Sequence, residues 1–191
     1  IVTDPSSLTL QGTVQTTNTT MTLGDANTGI TLNANTTLNA GTGNINLDGV
    51  FSGAFGLTPT TAIPGMTTIS GANTNTTTNV TTGVVKINNS TPQTTNFVVS
   101  GGTLKGTGSI GNLTATGTGI IAPGNSPGTV TTTSLSLSST NTLQVEITGS
   151  SSSPIAGTDY DQIVVGSSGT VTLGGATLNL SSTFTGNQGT V

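Results

Sequence analysis

The sequence predicts an all-β protein, a parallel β-helix (β-solenoid), with an antiparallel β-sandwich as the alternative. Three observations lead there. Short apolar–polar–apolar triplets recur along the chain between Gly and Asn residues: Leu8-Thr9-Leu10, Met21-Thr22-Leu23, Ile30-Thr31-Leu32, Ile45-Asn46-Leu47 and Val85-Lys86-Ile87. Leu135-Ser136-Leu137, Val145-Glu146-Ile147, Val171-Thr172-Leu173 and Leu178-Asn179-Leu180 continue the series. In a strand, period two puts both apolar side chains of a triplet on one face and the polar one on the other. Next, each triplet supplies only two or three inward side chains, and aromatics make up 3% of the chain. That suits a narrow interior of small aliphatics better than the wide core of a sandwich. Finally, Thr, Val and Ile are abundant while no helical spacing of apolar residues appears, and β-branched side chains favour pleated surfaces.

With 191 residues the chain is read as a single solenoid domain, 1–191. At roughly 20 residues per coil and about 4.8 Å per coil it would make about nine or ten coils, a rod of roughly 45 Å. Within 1–99 the coils are divergent. Val50 to Met66, which holds Phe51, Phe55, Leu57 and two prolines, reads as a loop excursion with a choice between an exposed apolar patch and a fold back over the core. Gly71 to Thr82 is a polar low-complexity tract, a lateral turn or exposed strand, and Ser150 to Gly157 has the composition of a flexible loop. Neither Ile1-Val2 nor Gly189-Thr190-Val191 carries the polar cap expected at the end of a solenoid. Ile1 to Pro5 lacks the basic start of a signal peptide, so an exported form would be a mature product or an excerpt.

Composition excludes several functions. Only 4% of residues are charged, the net charge is -4, and Lys86 and Lys105 are the only basic side chains. Two cations do not neutralise a phosphate backbone, so nucleic acid and anionic membrane surfaces are not expected partners. No run approaches the about 20 apolar residues of a membrane helix. Without His or Cys the usual general base and soft nucleophile are missing, and neither lysine stands in a Ser-x-x-Lys frame. The expectation is therefore a non-enzyme with no catalytic, cofactor or metal residues.

Some residues invite a sharper reading. Asp159 and Asp161 flank Tyr160 and would share one strand face, where two carboxylates suit glycoside chemistry or a cation. The plainer reading makes Asp159 a turn residue and Asp161 the start of a strand. Thr74, Thr76 and Thr78, with Thr131 and Thr133, offer fragments of an ice-binding Thr ladder at irregular spacing. Asn18, Asn35, Asn75, Asn79, Asn88, Asn89, Asn112 and Asn179 open N-x-S/T triplets, which arise by chance in a chain so rich in Asn and Thr. In Ala122-Pro-Gly-Asn-Ser-Pro-Gly-Thr129 two successive Pro-Gly pairs predict two type II turns and a rigid corner; an anion-binding Gly-rich loop is disfavoured because no Lys and no helix follow.

One stretch carries a family resemblance. Gly101-Gly-Thr-Leu-Lys-Gly-Thr-Gly-Ser-Ile-Gly-Asn-Leu-Thr-Ala115 leads to the Ala122–Thr129 corner, then Thr142-Leu-Gln-Val-Glu-Ile147 and Thr158-Asp-Tyr-Asp-Gln-Ile-Val-Val165, and closes with Val171 to Leu180. In this order the four elements resemble the passenger-associated strand repeat of bacterial autotransporters over roughly residues 100–180. The resemblance implies a right-handed parallel β-helix, displayed on the outer cell surface or released. It implies a scaffold, stalk or adhesin passenger segment, without the membrane-spanning barrel of that family, for which the chain shows no strand signal. A self-assembling subunit of an extracellular fibre and a polysaccharide-active or ligand-binding β-helix are the alternatives. The partners so implied are copies of itself, or the rest of a longer chain, end to end, and host or surface glycans and proteins.

Overall fold

A computed structural model describes residues 7–25, 27–149 and 153–183. All its regular elements are strands, and every strand ladder is parallel. One sheet has eight strands: Met21–Leu23, Ile45–Leu47, Thr67–Ile69, Val84–Ile87, Thr103–Gly106, Ile120–Pro123, Thr142–Ile147 and Thr177–Ser182. It is called the second sheet below. The first sheet runs Ser7–Gln15, Gly29–Asn39, Gly56–Thr60, Thr77–Val80, Asn96–Val99, Leu113–Ala115, Leu135–Ser136 and Val171–Thr172, with Val50–Ser52 paired to the side of Gly29–Asn39. A short third sheet joins Gly108–Ile110, Thr129–Thr132 and Gln162–Val165.

Neighbouring strands in each sheet come from successive passes of the chain, so the architecture is a stack of coils, a parallel β-solenoid. The sandwich alternative falls, because it needs antiparallel ladders; here antiparallel contact is confined to isolated bridges such as Gly106 with Gly124. The second sheet counts eight rungs among the described residues, fewer than the nine or ten expected. At about 4.8 Å per rung they span about 34 Å. The shortfall comes from coil length. Inter-rung side-chain bonds cross 16 residues at Asn96–Asn112 but 24 at Asn46–Thr22. The last coil is longer still: Leu143 meets its partner at Leu178 after an excursion through the 150s.

The interior is made of columns. On the second sheet Met21, Ile45, Thr67, Val85, Leu104 and Ile121 stack in register, beside Leu23, Leu47, Ile69 and Ile87. All of these are buried. Facing them on the first sheet, Thr36, Leu57, Thr78, Phe97, Leu113 and Leu135 form the opposing column. Each buried Leu or Ile contributes about 1.5–3 kcal/mol. Threonines interrupt the aliphatic pattern: Thr36 Oγ1 donates to the Ala34 carbonyl, whereas Thr67 and Thr78, in one coil, bury their Oγ1 atoms without a protein partner. Thr and Val have similar shapes, so the hydroxyl desolvation is the main difference between them.

The lateral wall changes character along the stack. In the early coils it is strand: Ile30 pairs with Phe51. In the next it has no strand, and side-chain amides join the backbone bonds between coils. Asn73 Oδ1 accepts the Phe51 N–H at 3.0 Å, Asn75 Nδ2 donates to the Thr77 carbonyl, and Thr95 Oγ1 donates to Asn75 Oδ1. Asn89 Nδ2 donates to the carbonyls of Thr91 and Ser109, and Ser109 lies on the first strand of the third sheet. Buried amides thus add to the backbone bonds that cross this wall, such as those from the Thr74 N–H to the Phe51 carbonyl and from the Thr94 N–H to the Asn73 carbonyl, until a strand ladder resumes at Gly108–Ile110.

Two expectations are corrected here. Val50 to Met66 is an ordinary coil rather than an excursion: Phe51 and Leu57 are fully buried, and Phe55 and Ile63 are exposed. Of the two readings of Gly71 to Thr82, the exposed strand falls: residues 71–76 make the lateral passage, with Asn73 and Asn75 buried, and Thr77–Val80 is a strand whose Thr78 is buried. The chain ends, Ile1-Val2 and Gly189 to Val191, and Ser150 to Ser152 lie outside the described residues.

Two stability measurements check this account. In chemical denaturation, Thr78→Val is expected to raise stability by about 1 kcal/mol, because it removes an unpaired buried hydroxyl while keeping the volume. Phe51→Ala is expected to lower it by about 3–5 kcal/mol, whereas an excursion residue would change it by less than about 0.5 kcal/mol.

Candidate functional site

Outward-facing residues of the second sheet stack in register just as the inward ones do. Their column reads Thr22, Asn46, Thr68, Lys86, Lys105 and Ala122, and Gln144 and Asn179 extend it. Ala122 is the short member between two long ones, so the column has a notch one rung deep. A recess of about 310 Å³ opens there. Its floor and walls come from Lys105, Ala122, Gln144 and Asn179 of the column, with Glu146 and Asp161 to one side.

The side wall depends on the Pro-Gly corner. Gly106 and Gly124, at φ 105° and 95°, exchange backbone hydrogen bonds of 2.9 and 2.7 Å across adjacent rungs. The Gly of Leu104-Lys105-Gly106 and that of Pro123-Gly124 therefore sit against each other. A Cβ on Gly106 would run into the backbone of Ile87. The corner departs from the expected pair of type II turns in its second half. Gly124 takes the positive φ, but Gly128 does not, and Ser126 does instead, at 99°. The Gly128 backbone packs directly against Gly124, leaving no space for a Cβ on either residue.

Asp161 fastens the corner. Its Oδ1 accepts the Gly128 N–H and its Oδ2 the Glu146 N–H, both at 2.8 Å, while its own N–H donates to the Glu146 carbonyl. Partial burial pushes its carboxyl above the usual range; the two N–H bonds oppose this, the Glu146 carboxylate adds to it and Lys105 offsets it. Glu146 Oε2 in turn accepts the Ser126 hydroxyl at 2.7 Å. Asp159 does a different local job: its Oδ2 accepts the Ile155 N–H, and its carbonyl accepts the N–H groups of Thr148 and Gly149.

The two acids singled out in the sequence therefore take the plainer roles. Asp159 closes the turn of the excursion, and Asp161 directly precedes the Gln162–Val165 strand with both oxygens engaged by backbone. Of the pair, Asp161 alone lines the recess. Among the described residues no group of three or more His, Cys, Asp or Glu is placed to hold a metal. The Thr ladder does not form at its first fragment either: Thr74 and Thr76 are exposed but Thr78 points into the core.

No family model, curated protein or solved structure matches this chain. Its chemistry has to be read from the geometry alone. What the recess offers is a primary amine, two side-chain amides, two serine hydroxyls and partly engaged carboxylates, a set that hydrogen-bonds polar ligands. Sequence reasoning named Lys105, Glu146 and Asp161 but missed the recess, because Ala122, Gln144 and Asn179 are brought together only by register. The signal that would have found them is the small residue at the outward position of the Ile121-Ala122-Pro123 segment, once coils are aligned on their inward pairs.

The Asp161 brace predicts a pH effect. Its folded pKa lies above the unfolded value, so the charged form weakens the fold and protonation relieves it. Stability is expected to rise as pH falls from neutral through the folded pKa towards the ordinary value near 3.8. Asp161→Asn should abolish that rise in pH-dependent denaturation.

Proposed function

We propose that this chain is a non-catalytic β-solenoid scaffold, a stalk or adhesin passenger segment of a bacterial surface or secreted protein of the autotransporter kind. The observation that carries the reading is the stack itself: eight parallel rungs around an aliphatic interior, with outward columns of almost uncharged hydroxyl and amide side chains. Such a stack has value as a spacer, since length is added one coil at a time and each coil touches only its neighbours. The residues resembling the passenger repeat also fall on a distinct part of the stack. The third sheet begins at Gly108 and ends at Val165, within that stretch. The non-enzyme reading draws support from the engaged state of Asp161 and Glu146, whose oxygens serve backbone N–H groups and a serine.

Its test is export and display. Fused upstream of an autotransporter barrel in a Gram-negative host, the chain should reach the cell surface, become accessible to added protease there, and degrade no polysaccharide. Retention inside the cell, or release of unsaturated products from a polyuronate, would refute it.

A second reading, a self-assembling fibre subunit, is favoured by one specific observation. On the last described rung Val171, Leu173, Leu178 and Leu180 continue the inward columns yet are 53–61% exposed. Open coil edges template further strands. Negative-stain microscopy across a concentration series separates the two: short single rods support the stalk, and lengthening fibres support the subunit.

A further inference from the structure

The two ends of the described stack are not alike. At the first rung the inward side chains of Leu10, Met21 and Leu23 are covered, at 4–8% exposure, and Leu8 and Val14 pack against the same core. At the last rung Val171 and Leu178 stack over Leu135 and Leu143, and Leu180 over Val145. With Leu173 they stand 53–61% exposed. Their strands, Val171–Thr172 and Thr177–Ser182, pair on one side only among the described residues. Exposed edges are ordinarily guarded by charge or proline. From Gln162 to Thr183 the chain has neither.

The two exposed triplets, Val171-Thr172-Leu173 and Leu178-Asn179-Leu180, have the same pattern in either direction: apolar, polar, apolar. Antiparallel pairing of such a triplet with its own copy, about the central residue, keeps every inward side chain inward. Leu178 then meets Leu180 of the second copy, and Asn179 meets Asn179. The triplets belong to opposing sheets, so a twofold axis across the coil through Thr172 and Asn179 pairs both at once.

We propose that the open end is a self-association surface, joining two copies of this chain last rung to last rung. Head-to-tail stacking is disfavoured, because the first rung has already covered its apolar side chains and offers little to the exposed columns. A charged partner finds no counter-charge on the last rung. A second open end supplies an equal set of apolar side chains and two free edges. Such a contact closes on itself, so growth stops at two copies. Its area is one coil's cross-section, which suits a dimer that dissociates on dilution. This pairing rests on the self-assembly reading above and changes its product from a fibre to a pair.

The experiment is sedimentation of the whole purified chain over a concentration series, with cysteine cross-linking as a second readout. A monomer–dimer equilibrium without larger species is expected. Leu178→Lys combined with Leu180→Lys should weaken the dimer about tenfold or more. Ile63→Lys, at an exposed corner away from this end, should leave it unchanged. The chain has no cysteine, so Asn179→Cys places a single thiol on the axis. It should oxidise to a disulfide-linked dimer at concentrations where Asn88→Cys, exposed in mid-stack, stays reduced. That readout decides the matter even if the lysine variant loses its β-type circular dichroism. A monomer at every concentration would overturn both this pairing and the self-assembly reading. Fibres, or cross-linking of Asn179→Cys to Thr22→Cys in a mixture of the two, would uphold self-assembly and overturn the pairing. A dimer indifferent to the lysine substitutions, or one in which Asn179→Cys stays reduced, would overturn the pairing alone.

Discussion

The backbone ladder that joins each coil to the next governs the rest of this molecule. A parallel ladder fixes residues on adjacent rungs at the same height and the same face, so side chains stack like on like. Columns replace the interlocking of a globular core. Inside, this demands matched small aliphatics, as in Leu23, Leu47, Ile69 and Ile87. Outside, it lines up whatever the chain supplies, whether the Asn46–Thr22 hydrogen bond at 3.3 Å or two lysines in contact register.

The same ladder explains where the fold bends its own rules. A wall without strand would leave buried N–H and C=O groups unpaired, a cost of about 1–3 kcal/mol each. Asn73, Asn75 and Asn89 prevent that by lending side-chain amides to the stack, one of them to the Phe51 N–H. A primary amide has both a donor and an acceptor, so it can stand in for a peptide group where the chain turns. The corner at Gly106 and Gly124 solves a related problem by backbone alone, with two glycines at positive φ bonding each other across the rung gap.

The candidate site is a by-product of columnar stacking. An alanine between a lysine and a glutamine produces a recess without any dedicated loop, and the corner held by Asp161 supplies its side wall. Charge is so scarce in this chain that the position of each ionised group carries weight. Asp161 and Glu146 are committed to holding the corner, and Lys105 stands beside them, its charge offsetting the raised carboxyl of Asp161.

The amino-acid pattern on its own determined the all-β class and favoured a solenoid over a sandwich, because period-two triplets such as Ile45-Asn46-Leu47 and Val85-Lys86-Ile87 bury one face and bring only two inward side chains each; the parallel ladders decided between the two. The pattern also marked the plain roles of Asp159 and Asp161. Coil boundaries were less legible where inward positions hold polar residues. Thr67 and Thr78 look outward by type, and Asn73 and Asn75 look like loop, so two strands and an amide wall were hidden. Phe51 was taken with its exposed neighbour Phe55, since alternation is obscured where coil and corner meet. The lysine pair, the notch at Ala122 and the meeting of Gly106 with Gly124 were decided only by tertiary structure. Each depends on which residue of one coil lies over which residue of the next. Coil lengths here run from 16 residues at Asn96–Asn112 to 35 at Leu143–Leu178, so that register is set by turns and packing rather than by any fixed repeat in the chain.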